Sequence, residues 1–311
     1  MSRLRLGGAS RRRSADRPRI LTMGDLMVDV TVALSTEIAR ATDTLARIRT
    51  GWGGSAANVA AWLAAIDVST AFLGRVGADS FGRAAIDALR AAGVTVYAEA
   101  DVDRPTGTCV VLVHPDGERS MLPDPGANAG LRPEHLGAEP FAWASHLHLS
   151  AYTLFSRDSR AAGLAAQSRA HGAEMTVSVD ASSAAPLMAA GVDNFLSWTS
   201  GADLLFANLD EAIALTGTSD PRTAAEKLTS HYSEVVVKLG AAGAMWAADG
   251  AAHVRVEGRA VEAVDTTGAG DAFAAGFLSA RLGRNDPKAA LEAGTALAAR
   301  AISRLGARPI G

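Results

Sequence analysis

Cysteine is almost absent from this 311-residue chain: the single Cys109 excludes an intrachain disulfide framework and any cysteine-rich zinc site. It lies in the run Thr108-Cys109-Val110-Val111, where a small buried apolar side chain is the expectation. No run of about 18 apolar residues occurs, because Arg, Asp and Glu break the long alanine-rich stretches, so no transmembrane helix is expected. Excess charge of one sign is lacking too. Thirty basic and 33 acidic residues leave a net charge of -3, so no global field favours nucleic acid or an anionic membrane. Aromatic residues make up only 5%, which leaves few side chains on which a base could stack. No GxxxxGK[ST] occurs, excluding a Walker-type phosphate loop, and no dinucleotide fingerprint follows a strand near the N-terminus, which removes a nicotinamide oxidoreductase.

What is present is an ordinary globular composition, 48% hydrophobic and 20% charged. The first residues carry Arg3, Arg5, Arg11, Arg12, Arg13, Arg17 and Arg19 without the apolar core of a secretory signal. A disordered basic extension over 1–18 and a cytoplasmic location are the expectation. From residue 19 on, short apolar runs at 20–23, 70–76, 146–150, 175–180, 204–207 and 234–239 alternate with helical patterns at 55–66, 80–92, 157–171, 193–199 and 209–231, the last broken at Pro221. Two long helices, 269–282 and 287–305, close the chain. Ser55 is placed as an N-cap and Asp79-Ser80 as a helix start. This βαβ alternation predicts an α/β fold with a mostly parallel, doubly wound sheet flanked by helices. The runs at 28–34, 106–114 and 118–122, the last two joined by a Pro115-Asp116-Gly117 turn, predict a small separate β appendage. Ligands of such sheets bind beyond the carboxyl ends of the strands. There the sequence puts Gly24-Asp25 to Asp29, Asp180, Asn208 to Glu211, and Lys238-Leu239-Gly240.

The segment Val264 to Phe273, VDTTGAGDAF, carries the chemistry. Gly268-Ala269-Gly270 opens a long helix, and successive amides there, with the positive end of the helix dipole, form an anion hole. Asp271 falls in the first turn beside it, placed to take a proton from an attacking hydroxyl. The bland alternative for GxGD alone is a tight turn with a dipole-complementing aspartate. The full string resembles the C-terminal signature of the ribokinase-like (PfkB) carbohydrate kinases, and further matches follow in that family's order. Gly53-Gly54-Ser55-Ala56-Ala57-Asn58 resembles its glycine pair, which implies an acceptor pocket at Gly53, Gly54 and Asn58. Gly24 to Asp29 resembles its opening strand, implying that Asp29 grips acceptor hydroxyls and leaving Asp25 as a solvated strand end. Gly126-Ala127-Asn128 resembles a segment returning from the lid, which makes Asn128 a pocket candidate. Asn208-Leu209-Asp210-Glu211 matches its NxxE, implying that Asn208 and Glu211 order magnesium-bound water near the phosphates. Lys238, Gly240 and Gly243 border the nucleotide by the same resemblance, and Asp265 and Thr267 match positions that hold a monovalent cation.

The resemblance covers about residues 20 to 311. It implies a kinase domain over 19–311 with a β lid drawn from about 28–50 and 94–122. It also implies ATP and Mg2+ as cofactors with K+ alongside, a small sugar such as ribose, fructose or a sugar acid as acceptor, and a homodimer through the lid. Neither nucleic acid nor membrane is an expected partner. Two rivals remain at this point. A nucleoside acceptor would need stacking surface, for which Trp52 and Phe72 are nearest; a silent sugar binder would have no use for Asp271. Arg75, Arg104 and Arg119 are candidates for recognising an anionic group on the substrate. His146 and His148 alternate on a strand without a third ligand and are poor metal candidates.

Overall fold

Strands rich in Val, Leu and Phe, separated by alanine-rich helices, bury one set of side chains on each face of a sheet. The computed structural model describes residues 18–115, 119–249, 252–284 and 286–309. The basic extension up to residue 17 and the Asp116-Gly117 turn lie outside these. Among the described residues thirteen strands divide into two sheets. The larger contains β1 (Arg19–Met23), β4 (Ser69–Gly77), β5 (Thr95–Asp101), β8 (His146–Ser150), β9 (Thr176–Asp180), β10 (Leu204–Asn208), β11 (Glu234–Lys238), β12 (Ala244–Ala248) and β13 (Ala252–Val256). Their spatial order is β13-β12-β11-β10-β9-β8-β1-β4-β5. All neighbours pair in parallel except β11 with β12 and β12 with β13.

Alternation decides the layers. Leu205, Ala207, Val235 and Val237 join one core cluster, while Leu204, Phe206 and Val236 join the other. The first cluster packs under the Arg157–Gly172 helix and the second under Ala269–Arg284 and Pro287–Ile302. The Ser55–Ala64 helix is buried nearly all round, from Ala56 to Leu63, which explains its run of small residues. His146 and His148 are structural. Both are buried in β8, with hydroxyls of Thr176 and Ser178 on their ring nitrogens, and burial pushes them down to about 3 and about 4.

The smaller sheet runs β3-β2-β6-β7, from β2 (Met27–Leu34), β3 (Ala46–Gly53), β6 (Thr108–Val113) and β7 (Arg119–Asp124). It is narrower than the expected 94–122 contribution, because β5 pairs with β4 at the edge of the large sheet. The strand change from β1 to β8 on one side and β4 on the other makes a switch point. Asp25, Asp180, Asn208 and Lys238 stand at or just past the carboxyl ends of β1, β9, β10 and β11, on the same edge of the parallel sheet. Among the described residues no helix is long and apolar enough to cross a membrane.

Candidate active site

Asp271 sits in the first turn of the Ala269–Arg284 helix, immediately after the Gly268 turn. Gly268 has φ +76°, and a Cβ on it would stand 2.5 Å from the Ala307 carbonyl, so the string requires glycine there. The Asp271 carboxylate is held by two donors: Ser55 Oγ donates to Oδ1 at 2.8 Å and Asn58 Nδ2 to Oδ2 at 2.9 Å. Burial pushes its pKa up to about 7, with those two hydrogen bonds opposing and the nearby Asp180 adding to the rise. Ser55 therefore differs from its expected capping role. Gly54 is the N-cap residue, no side chain caps the helix, and the Ser55 hydroxyl turns to Asp271 instead.

On one side of Asp271, Gly53 and Gly54 link β3 to the Ser55–Ala64 helix. A Cβ on Gly53 would collide with the Asp29 carboxylate, so the glycine brings that carboxylate against the turn. Burial raises Asp29 to about 6 against the pull of Arg308. Asp25 is a correction: it is no solvated strand end, since its Oδ2 accepts from Ser55 N–H at 2.8 Å and burial raises its pKa. Asn128 braces the backbone rather than lining the pocket. It accepts from Leu26 N–H and gives its amide hydrogens to the carbonyls of Leu26 and Pro125. Arg308, which carries no motif, closes the pocket from the C-terminal turn: its Nε donates to Asn58 Oδ1 at 3.0 Å and its Nη2 to Gly53 O at 2.6 Å. A pocket of about 200 Å³ opens between Asp29, Thr31, Trp52, Val111 and Arg308. Phe72, by contrast, is fully buried in the core and has no face to offer a base.

On the other side of Asp271, Asn208 and Glu211 form a reciprocal capping box at the start of the Leu209–Thr216 helix. Glu211 Oε2 accepts from Asn208 N–H at 2.7 Å, and burial lifts Glu211 to about 7 despite Lys238. The Lys238 side chain is only 14% exposed, and its Nζ lies 2.7 Å from Asp180 Oδ2. Burial disfavours its charge, but Asp180 and Glu211 outweigh that and hold its pKa above the usual lysine value. A Cβ built on Gly270 would stand 3.3 Å from this ammonium, which places Lys238 against the Gly268–Gly270 turn. Asp180 is thus a site residue that the sequence placed at a strand end without giving it a role. Gly240 and Gly243 bound the turn from β11 to β12.

Asp265 Oδ1 accepts from Thr267 N–H and Oδ2 from Gly306 N–H, both at 2.9 Å, so Asp265 does join the glycine string to the 302–306 turn. Arg75 is bound to Asp101 and His135, and Arg104 to Asp101 and Asp158, so neither faces the acceptor. A larger groove of about 430 Å³ lies elsewhere, lined by Phe155 and Trp198 with Arg160 3.7 Å over the indole. No carboxylate lines it, whereas Asp29 and Asp265 line the smaller pocket.

Comparison with known proteins agrees with this geometry. The family model for pfkB family carbohydrate kinases matches residues 17–310. An ATP-dependent ribose-1-phosphate kinase of Halopiger xanaduensis is 36% identical over 296 residues, covering 93% of this chain and 94% of its own. Among solved structures, adenosine kinase from Sinorhizobium meliloti superposes with a TM-score of 0.85 at 27% identity, covering 95% of this chain and 97% of that one. Ribokinase from Arabidopsis thaliana, complexed with ribose and ATP, gives 0.81 at 25% identity, with coverage of 94% and 95%.

Proposed function

The chain belongs to the pfkB family of carbohydrate kinases, and on that premise we propose that it transfers the γ-phosphoryl group of ATP to a hydroxyl of a small, ribose- or fructose-sized sugar, with Asp271 as the general base. The observation that carries this reading is Asp271 itself: a buried carboxylate, raised to about 7, between the glycine anion hole and the Asp29 pocket. A base is most effective when its pKa lies near the working pH. The acceptor oxygen forms the new bond to the γ-phosphorus as the bond to the β–γ bridging oxygen breaks. Asp271 takes the hydroxyl proton, and ADP leaves. Charge on the moving phosphoryl group falls on the Gly268–Gly270 turn, with the Lys238 ammonium against it.

The residues present suit Mg2+. Among the described residues no three acidic or imidazole side chains stand together as a direct metal cage, so the ion would be held indirectly. Magnesium keeps water and phosphate oxygens as most of its ligands, so Glu211 is enough to hold it through water. When bound it would neutralise charge on the ATP phosphates. Asp265 and Thr267, at the 302–306 turn, are the residues for a monovalent cation such as K+.

A sugar is favoured over a nucleoside because Trp52 is the only one of the two aromatic candidates at the pocket. The haloarchaeal relative acts on ribose 1-phosphate by its name, which brings phosphorylated pentoses into the acceptor panel. The exposed apolar face of the lid, with Ile48 and Leu122, supports a homodimer. We place the enzyme in the cytoplasm, where ATP is supplied. The test is ATP consumption by purified protein with Mg2+ and K+ across sugars, sugar phosphates, sugar acids and nucleosides. Turnover that falls by at least ~100-fold in Asp271→Ala is expected. Binding of an acceptor without any ATP consumption would instead make the chain a silent binder.

A further inference from the structure

Arg308 meets Asp271 through a single intermediary. Its Nε donates to Asn58 Oδ1 at 3.0 Å, and the other end of the same carboxamide, Nδ2, donates to Asp271 Oδ2 at 2.9 Å. A guanidinium can only donate and an ionised carboxylate can only accept, so one orientation of the amide satisfies both neighbours. Asn58 is buried, so neither end has bulk water to fall back on. Turned over, the amide would set its NH2 against the guanidinium and its oxygen against Asp271. A protonated Asp271 would favour that reversed amide, because a neutral carboxyl can donate to a carbonyl oxygen. Arg308 closes off this alternative. Its Nη2 donates to Gly53 O at 2.6 Å, which fixes the guanidinium plane, while Nη1 makes no bond. Of the two donors on Asp271, the Ser55 hydroxyl can rotate to accept as well as donate; Asn58, held from behind, cannot. The guanidinium is no spare anchor for an anion: Asp29, Asp25 and Asp271 all act on it, and Asp265 lines the same pocket.

We propose that Arg308 is a positioning residue for the base: by demanding an acceptor from Asn58 it holds that amide as a donor to Asp271, and so keeps the carboxylate in its proton-accepting form. This deepens the kinase reading and rests on it for the role of Asp271, while the relay itself is a property of the free protein. The other groups that face Asp271 are Asp180 from β9, Lys238 from β11 and the Tyr152 phenol just past β8. They set the general field at the carboxyl. The relay decides which kind of partner its Oδ2 finds.

The experiment follows the Asp271 carboxyl by carbon NMR in protein labelled at aspartate, its signal assigned by its loss in Asp271→Asn, alongside the pH profile of log kcat/KM. Arg308→Met is expected to raise the midpoint of both by about one pH unit or more. The rate should then fall about 10-fold at pH 6 and return to within about 3-fold of the wild type by pH 9. Arg308→Gln can accept as well as donate, so it permits the reversed amide and should shift the midpoint the same way. It reports if the methionine variant does not fold. Arg308→Lys keeps a donor-only cation and should leave the midpoint close to that of the wild type. Removing the arginine also removes a positive charge near Asp271, and a double-mutant cycle separates that effect from the relay. In an Asn58→Ala background, where the midpoint should itself lie higher, Arg308→Met is expected to add little. An equal second shift there overturns the proposal, as does a loss of rate at every pH with an unmoved midpoint. If no acceptor is turned over, the kinase reading falls, and the NMR midpoints alone decide for or against the relay.

Discussion

With a pKa of about 7, Asp271 holds its proton roughly half the time at neutral pH, and only the ionised form can accept another. The profile of log kcat/KM is therefore expected to rise through pH 7, with Glu211, also near 7, contributing to the same apparent limb. The raised pKa also has a stability sign. The native carboxyl binds its proton more tightly than the unfolded one, so it favours the fold at low pH and weakens it as pH rises through 7. Asp271→Asn is expected to lose at least ~100-fold in turnover yet to raise Tm by about 2 °C or more at pH 8. That gain should shrink as pH falls below 7 and disappear only below about pH 4, where the unfolded carboxyl is protonated too, which differential scanning calorimetry would show. The Lys238–Asp180 pair behaves differently. Lys238→Met leaves a buried carboxylate unpaired, expected to cost about 3–5 kcal/mol in chemical denaturation. Adding Asp180→Asn should restore most of the stability and none of the turnover. Asp271 was legible because a ten-residue string surrounds it. Arg308 was not, because its partners Asn58 and Gly53 lie 250 and 255 positions away and nothing near it in sequence hints at them. Ser55 was misread for a related reason: the hydroxyl that a local rule sends to its own helix finds a carboxylate from the other end of the chain.

Among the elements, the Leu209–Thr216 helix carries its function in its cap. Asn208→Ala removes one half of the box and is expected to cost about 1 kcal/mol, read from the denaturation midpoint. Glu211→Gln keeps an acceptor for the Asn208 amide while losing the charge, so the expected change is a higher Mg2+ concentration for half-maximal rate with little loss of Tm. Apart from β5, an edge strand of mostly half-buried or exposed residues that falls within the segment expected for the lid, the parallel strands were legible as apolar runs because both of their faces are buried. Strand β3 was not: ARIRTGWG puts arginines on an edge strand whose residues are mostly exposed, so neither hydrophobicity nor alternation marks it. The arginines that a propensity reading discards stand there opposite Thr31 and Ala33, on the pocket face of the lid.

For the whole molecule, the outer face of the lid is the exposed apolar surface that matters. Ile48 and Leu122 are 64% and 56% exposed on strands whose opposite face looks into the pocket. Sedimentation is expected to show a dimer in the wild type and a monomer for Ile48→Glu; a wild type that stays monomeric at micromolar concentration removes the lid dimer. Finally, the pocket wall made by Arg308 and the Ala307 carbonyl, which accepts from Trp62 Nε1, depends on the last stretch of the chain. A polypeptide emerging from the ribosome as far as residue 284 already contains both sheets and the glycine turn. It still lacks the residue that joins Gly53 to Asn58. The Pro287–Ile302 helix, which supplies Leu291 and Leu297 to the second core cluster, comes after residue 284 as well, so core and pocket wall are completed by the same late segment.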